Sequence, residues 1–287
     1  MNPLIRSSMA LATAWFCIGT ASAVTIQYTD FSDLSGLQLN GATAPINSTP
    51  VVDDGGRNVL RLTNALSQSG SAFLTDAVTL ANQASFSSFF AFRISNPIGI
   101  SDGDGQGADG IVFVVQTVAN TAGGSGGGIG YLGLPSSVGA EFDTWDNGTG
   151  LGDPNGNHVA IDLGGVFSPA NLAAPVADRM NDGDVWYAWV DYNGPTDQLE
   201  VRLSMNASRP AGALVSRDVD LVSVLGSESA FAGFTSGTGA AGGYHDILSW
   251  TFVNDFDPID PNPVPEPGTL LLLAAGLAGL AGARRRR

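Results

Sequence analysis

Between residues 24 and 253 the apolar positions favour a period of two, and no 3.6-residue repeat runs long enough to predict a helix. In SSFFAFRIS, Phe90, Phe92 and Ile94 face one way while Phe89, Ala91 and Arg93 face the other. The stretch GIVFVVQ is apolar almost throughout, which suits a strand covered on both faces of its sheet. Further on, VWYAWVDYN and LEVRLSM flank GPTDQ, the layout of a hairpin with a short loop, and ILSWTFV predicts the last strand. Many short strands separated by Gly, Asn, Asp and Ser predict two packed antiparallel sheets. No internal repeat is visible and no shift in composition divides the stretch, so it reads as one domain followed by a tail.

The two ends differ from this pattern. Residues 1–23, MNPLIRSSMALATAWFCIGTASA, combine Arg6, an apolar run and a small-residue Ala21-Ser22-Ala23, the layout of a secretory signal peptide. Cys17, the single cysteine, lies inside it, so the mature domain expects no disulfide. Residues 254–263 read as an acidic, proline-rich linker. Beyond them come VPEPG, the apolar TLLLLAAGLAGLAGA and a terminal RRRR. That apolar run is shorter than the roughly 20 residues a spanning helix needs, and the arginines would hold its end on the cytoplasmic side. In this order, the three parts of residues 264–287 resemble the PEP-CTERM sorting signal of Gram-negative bacteria. The resemblance implies a terminal apolar helix in the precursor, transient inner-membrane anchoring, cleavage by an exosortase, and a secreted or surface-associated product.

Lysine is absent, and five of the twelve arginines fall in the two end segments. With a formal net charge of −15, the chain lacks the basic surface that nucleic acid requires. Two glycine-rich motifs also fail their tests. GGSGGGIGYLG lacks the strand, helix and lysine context of a phosphate-binding loop. SDGDGQGADG, counted from Asp102, reaches Phe113 where an EF-hand requires a bidentate glutamate.

The densest chemistry lies in EFDTWDNGTGLGDPNGNH, residues 141–158, which holds four acidic residues and one of the two histidines. Such a segment suits either a metal site or a carboxylate-based active site. In a strand, Glu141 and Asp143 point to the same face. Carboxylates, an amide oxygen and a carbonyl suit calcium, whereas an imidazole beside carboxylates suits a transition metal.

Set in order, FSDLSGLQLNG, VLRLTNALSQSGSAF, ADGIVFVV, GYLGL, VGAEFDTWDN, HVAIDLGG, GFTSGTG and HDILSWTF resemble the legume-type (L-type) lectins. The resemblance spans most of residues 24–253. It implies an all-β, concanavalin-like jelly-roll sandwich that binds sugar beside a metal pair. Carried over by motif, Asp143, the Trp145 carbonyl, Asn147 and Asp153 hold Ca2+, while Glu141, Asp143, Asp153 and His158 hold Mn2+ or another transition metal. The implied sugar site comprises Asp109, after a cis Ala108–Asp109 peptide, with the Gly130 N–H, the Trp145 ring and the Asn147 amide. Its specificity loop aligns with TSGTGAAGGYH, where Ala240 and Ala241 replace the larger or polar residues common in relatives. His245 reads as a packing or turn residue.

Two rival readings remain. The acids of Glu141-Phe-Asp143-Thr-Trp-Asp146 loosely resemble those of jelly-roll glucanases, whose retaining members place two carboxylates about 5 Å apart. A structural matrix protein that keeps the fold without binding sugar is the other. The expectation is a calcium-dependent, non-catalytic carbohydrate-binding protein whose partner is a glycan or exopolysaccharide, with room for an oligomer and no nucleic-acid partner.

Overall fold

A computed structural model of the protein describes residues 23–121 and 128–262. The expected leader through residue 22 and the sorting segment with its apolar helix lie outside the described residues. The strands form two antiparallel sheets that pack as a sandwich. In the first sheet the order is Val215–Asp218, Gln198–Ser204, Val185–Asn193, Phe86–Gly99, Ala241–Val253, Asn58–Thr63 and Val51–Val52, with Thr25–Tyr28 added beside Ala241–Val253. In the second it is Leu172–Pro175, His158–Leu163, Ser137–Asp143, Gly110–Gln116, Ser229–Gly237, Ser69–Leu74 and Leu37–Gly41, with Val78–Thr79 beside Ser229–Gly237. Most neighbours are distant in sequence, so the sheets are closed by long-range pairing rather than by local hairpins alone.

The two-residue period becomes the core. Phe90, Phe92 and Ile94 turn between the sheets and meet Phe113, Phe142, Phe234 and Trp250. Phe90 lies 5.0 Å from Phe234 and 5.6 Å from Phe142, both edge-on, as aromatic quadrupoles prefer. A register shift between Ile247 and Ser249 brings both Ile247 and Trp250 to the inner face, although their odd spacing would otherwise oppose them. Gly110–Gln116 is buried on both faces: Ile111, Phe113 and Val115 point inward, while Val112 and Val114 meet Ile129, Tyr131 and Leu134 outside. Truncating Phe90 to alanine is expected to cost about 3–5 kcal/mol, read as a lowered urea midpoint at unchanged slope. A loss under about 1 kcal/mol would mean that the neighbouring rings close over the gap.

The segment read as a linker is instead docked through residue 262. Asn82 Nδ2 donates to Asp255 Oδ1 at 2.8 Å, the Asp257 N–H to Ser87 Oγ at 3.0 Å, and Trp189 Nε1 to the Ile259 carbonyl at 2.9 Å. Asn262 Nδ2 then donates to the Ala207 carbonyl at 2.6 Å. These residues strap across the outer face of the first sheet, where Phe89 and Trp189 pack at 5.0 Å. The reason is local: the outer face carries an indole N–H that burial would leave unsatisfied without a carbonyl.

Candidate functional site

The acidic segment starts as a strand and ends as a loop on the outer face of the second sheet. Strand register sets Asp143 opposite His158 and Glu141 opposite Ala160, so Glu141, Asp143 and His158 share one face. Each offers a ligand atom within 4.8 Å of the other two, and all three are buried. Asp153 approaches from the loop, its Oδ1 lying 3.7 Å from His158 Nε2, while Glu141 Oε2 lies 3.9 Å from that nitrogen. Asp153 Oδ2 accepts the Asn147 N–H at 2.6 Å, and Asp143 Oδ1 accepts the Trp145 N–H at 2.6 Å. The loop is thus folded back on its own carboxylates.

His158 is oriented by its other nitrogen. Nδ1 lies 2.9 Å from the Asn155 carbonyl, which can only accept, so the neutral ring places its proton there. Nε2 then turns a lone pair toward carboxylate oxygens. Burial holds the His158 imidazole below its ordinary pKa, against the pull of Asp153. Burial also pushes Glu141 well above the usual carboxylate range, with Asp162 and Asp143 adding to the rise. Asp143 rises well above that range too, through burial and then Asp153, opposed by the Trp145 N–H. Asp153 rises by burial as well. Lone pairs aimed at one another in a buried place repel unless protons or a cation lie between them. The donor set, carboxylates with one bare imidazole nitrogen, therefore fits a divalent ion.

Beside this cluster lies Asp109. Its preceding peptide, Ala108–Asp109, is cis. The Asp109 N–H donates to the Gly237 carbonyl at 3.1 Å, and its own carbonyl accepts from the Thr144 N–H at 2.8 Å and from Thr144 Oγ1 at 3.1 Å. Its backbone is thus tied to both neighbouring strands. The carboxylate is 5% exposed and Oδ2 has no hydrogen-bond partner among the described residues. Burial pushes its pKa up to about 6. Gly130 sits at φ +69, where a Cβ would approach the Thr235 side chain to 2.9 Å, so a larger residue would strain the loop.

Trp145 is half-buried and Asn147 exposed, both on the loop after the strand. Of the aligned alanines, Ala240 is exposed, but Ala241 is buried as the first residue of its strand, paired with Gly99. The preceding Gly239 lies beside Asp109, its Cβ position 3.8 Å from Oδ2. His245 is fully buried, with Nδ1 2.6 Å from Thr63 Oγ1.

One member was missed by sequence reasoning. Asp162 is 1% exposed, and its Oδ2 lacks a partner among the described residues. It lies on the same face as Glu141, and burial raises its pKa to about 7. Asn171 Nδ2 donates to its Oδ1. The signal was present in HVAIDL, where positions 158, 160 and 162 must share a face.

The model of the legume lectin domain family matches residues 23–266, and that of the PEP-CTERM protein-sorting motif matches residues 263–287. An L-type lectin-domain containing receptor kinase S.7 of Oryza sativa subsp. japonica is 36% identical over 187 residues, covering 60% of this chain and 25% of that protein. A seed lectin of Styphnolobium japonicum is 32% identical over 189 residues, covering 62% of this chain and 59% of that protein. The match thus spans about a quarter of the kinase and under two thirds of the seed lectin. Basic winged bean lectin, solved with Tn-antigen, superposes with a TM-score of 0.62 at 26% identity, over 81% of this chain and 98% of its own.

Proposed function

Because the chain belongs to the legume lectin domain family, we propose that it is a secreted, calcium-dependent and non-catalytic carbohydrate-binding protein. The observation that carries the reading is a buried carboxylate oxygen, Asp109 Oδ2, without a hydrogen-bond partner among the described residues, beside a cluster of Glu141, Asp143 and His158 whose ligand atoms could hold a cation. Asp109 accepts hydrogen bonds from two sugar hydroxyls, and Gly130 offers its N–H at close range. Asn147 contributes its amide while Trp145 lays its ring against the apolar face of the sugar. Asp143, the Trp145 carbonyl, Asn147 and Asp153 would hold Ca2+, and Glu141, Asp143, Asp153 and His158 a transition metal such as Mn2+. When bound, the ions supply positive charge that neutralises the carboxylates and fixes the loop. Ala240 offers only a methyl group, so the specificity loop adds little direct hydrogen bonding.

The sorting motif supports export and exosortase processing, which would leave the protein at or outside the surface of a Gram-negative cell, with a glycan or exopolysaccharide as partner. Glu141 and Asp143 lie in the candidate metal cluster with His158, which disfavours the glucanase reading, since an ion held there would tie up the nucleophile. A glycan-array screen with Ca2+ and Mn2+, repeated in EDTA, tests the proposal. Binding is expected with metal and none with chelator. Binding that survives EDTA would reject the metal-built site, and absence of binding with metal retained would favour a matrix protein.

A further inference from the structure

We infer that a second saccharide subsite lies on the other flank of the metal loop, between Asp104, Asn155, Ala177 and Arg179. The inference rests on the carbohydrate-binding reading above and extends it from a single sugar to a chain of sugars. A cavity of about 380 Å3 opens there, within the size range of small-ligand sites. Its wall includes Asn155, whose carbonyl orients His158, so cavity and metal cluster share one loop.

Three residues lining this cavity carry side-chain polar groups that are not fully used among the described residues. The Asp104 carboxylate takes part in no hydrogen bond or ion pair among the described residues, since only its N–H is used, toward Asp102 Oδ1. Asn155 uses its side-chain oxygen on the Asn157 N–H, and its amide NH2 has no partner among the described residues. Arg179 uses NH2 on the Gln106 carbonyl at 3.1 Å and forms no ion pair among the described residues. One carboxylate acceptor, one amide donor and one guanidinium donor complement vicinal hydroxyls, each of which both donates and accepts. Pro175, Val176 and Ala177 supply an apolar wall for the C–H face of a ring.

The walls are preformed. Asn157, 4% exposed, spends its side chain internally: Nδ2 donates to the Val176 and Asp178 carbonyls at 2.9 and 2.8 Å, and Oδ1 accepts the Met180 N–H at 3.0 Å. Gly105, at φ +125, lets the Arg179 guanidinium lie across its backbone, where a Cβ would come within 2.8 Å of it. A rigid wall loses little entropy on binding. Asp104 opposite Arg179 leaves the cavity close to neutral, which selects an uncharged hexose over an acidic one.

The test titrates the full chain, loaded with Ca2+ and Mn2+, with neutral hexose monosaccharides and their linear oligomers of two to six residues by calorimetry. Oligomers are expected to bind about tenfold more tightly than the monosaccharide. Ala177→Trp, which fills the cavity, and Asp104→Ala should each remove that gain and leave monosaccharide affinity unchanged. If chain length adds nothing in the unaltered protein while the monosaccharide still binds, the subsite is wrong and the primary site stands. Equal weakening of both ligands by Ala177→Trp and Asp104→Ala would also overturn it, because the effect would then run through Asn155 and the metal loop. If no sugar binds at all, the carbohydrate-binding reading falls and takes the subsite with it.

Discussion

Asp109→Ala is expected to abolish glycan binding, by about 100-fold or more, while leaving the fold intact. The size follows from losing two charge-assisted hydrogen bonds, each worth about 1.5–3 kcal/mol. Few substitutions separate binding from folding so cleanly here. The carboxylate is buried, its Oδ2 has no partner among the described residues, and its main-chain ties to Gly237 and Thr144 do not depend on the side chain. Burial raises its pKa to about 6, so in the absence of ligand the ionised group is a burden to the fold. The sign follows from linkage: the folded pKa lies above the unfolded value of 3.8, so the favourable contribution is full below 3.8 and lost as pH rises through about 6. At pH 7.5 the alanine variant should therefore melt no lower than the parent. Calorimetric titration beside a thermal melt checks both halves. Loss of binding together with a fall in melting temperature would mean that Asp109 holds the structure rather than the sugar, and unchanged binding would favour the matrix-protein reading.

A second large effect concerns metal and pH together. Glu141, Asp143 and Asp153 all have carboxyl pKa values raised in the metal-free fold, first by burial and then by neighbouring carboxylates, Asp162 for Glu141, Asp153 for Asp143 and Asp146 for Asp153. Raised carboxylates stabilise the protonated fold below their unfolded values and lose that contribution as pH climbs through the folded ones. The chelated protein should thus grow less stable from pH 5 to pH 8. Added Ca2+ reverses the slope, because the ion takes the place of the protons and binds only where they have left. At 100 times Kd the ion contributes about 2.7 kcal/mol, or about 5–11 °C in melting temperature for a domain of this size. The difference between melts with Ca2+ and with EDTA should be largest near pH 8 and close at acid pH. A gap that stays constant across that range would place the ion away from these carboxylates. Asp143→Asn, at a residue assigned to both ions, should narrow the gap.

Much of the fold was legible because each strand repeats its chemistry every second residue. Phe90, Phe92 and Ile94 announced an inner face, and the unbroken apolar run from Ile111 to Val115 announced a strand covered twice. The bulge that turns both Ile247 and Trp250 inward was not legible, since a register shift depends on the partner strand rather than on the run itself. The short helices Thr43–Ile46 and Leu221–Leu225 are too brief to show a period. At the site, the shared face of Glu141 and Asp143 followed from spacing, while the approach of Asp153 and Asp109 followed from resemblance, because loops and main-chain ties set both. Asp162 was readable in principle and overlooked, its neighbours in HVAIDL being apolar. The docked tail gave no pattern at all: its hold comes from backbone carbonyls and side-chain tips, and composition does not encode those.

That tail fixes an orientation. Residue 262 is tied down at Ala207 after the tail has crossed the outer face of the first sheet at Ser87 and Trp189, and the sorting motif begins at the next residue. The Asp109 face belongs to the other sheet, about 10 Å of packed interior away, before the loops on either side are counted. On the proposed reading of surface attachment, a hold at the C-terminus would reach the described body through the tail on the outer face of the first sheet, the sheet that does not carry Asp109. The Asp109 side would then look outward from that surface, with the thickness of the sandwich as the spacer between the surface and the proposed glycan.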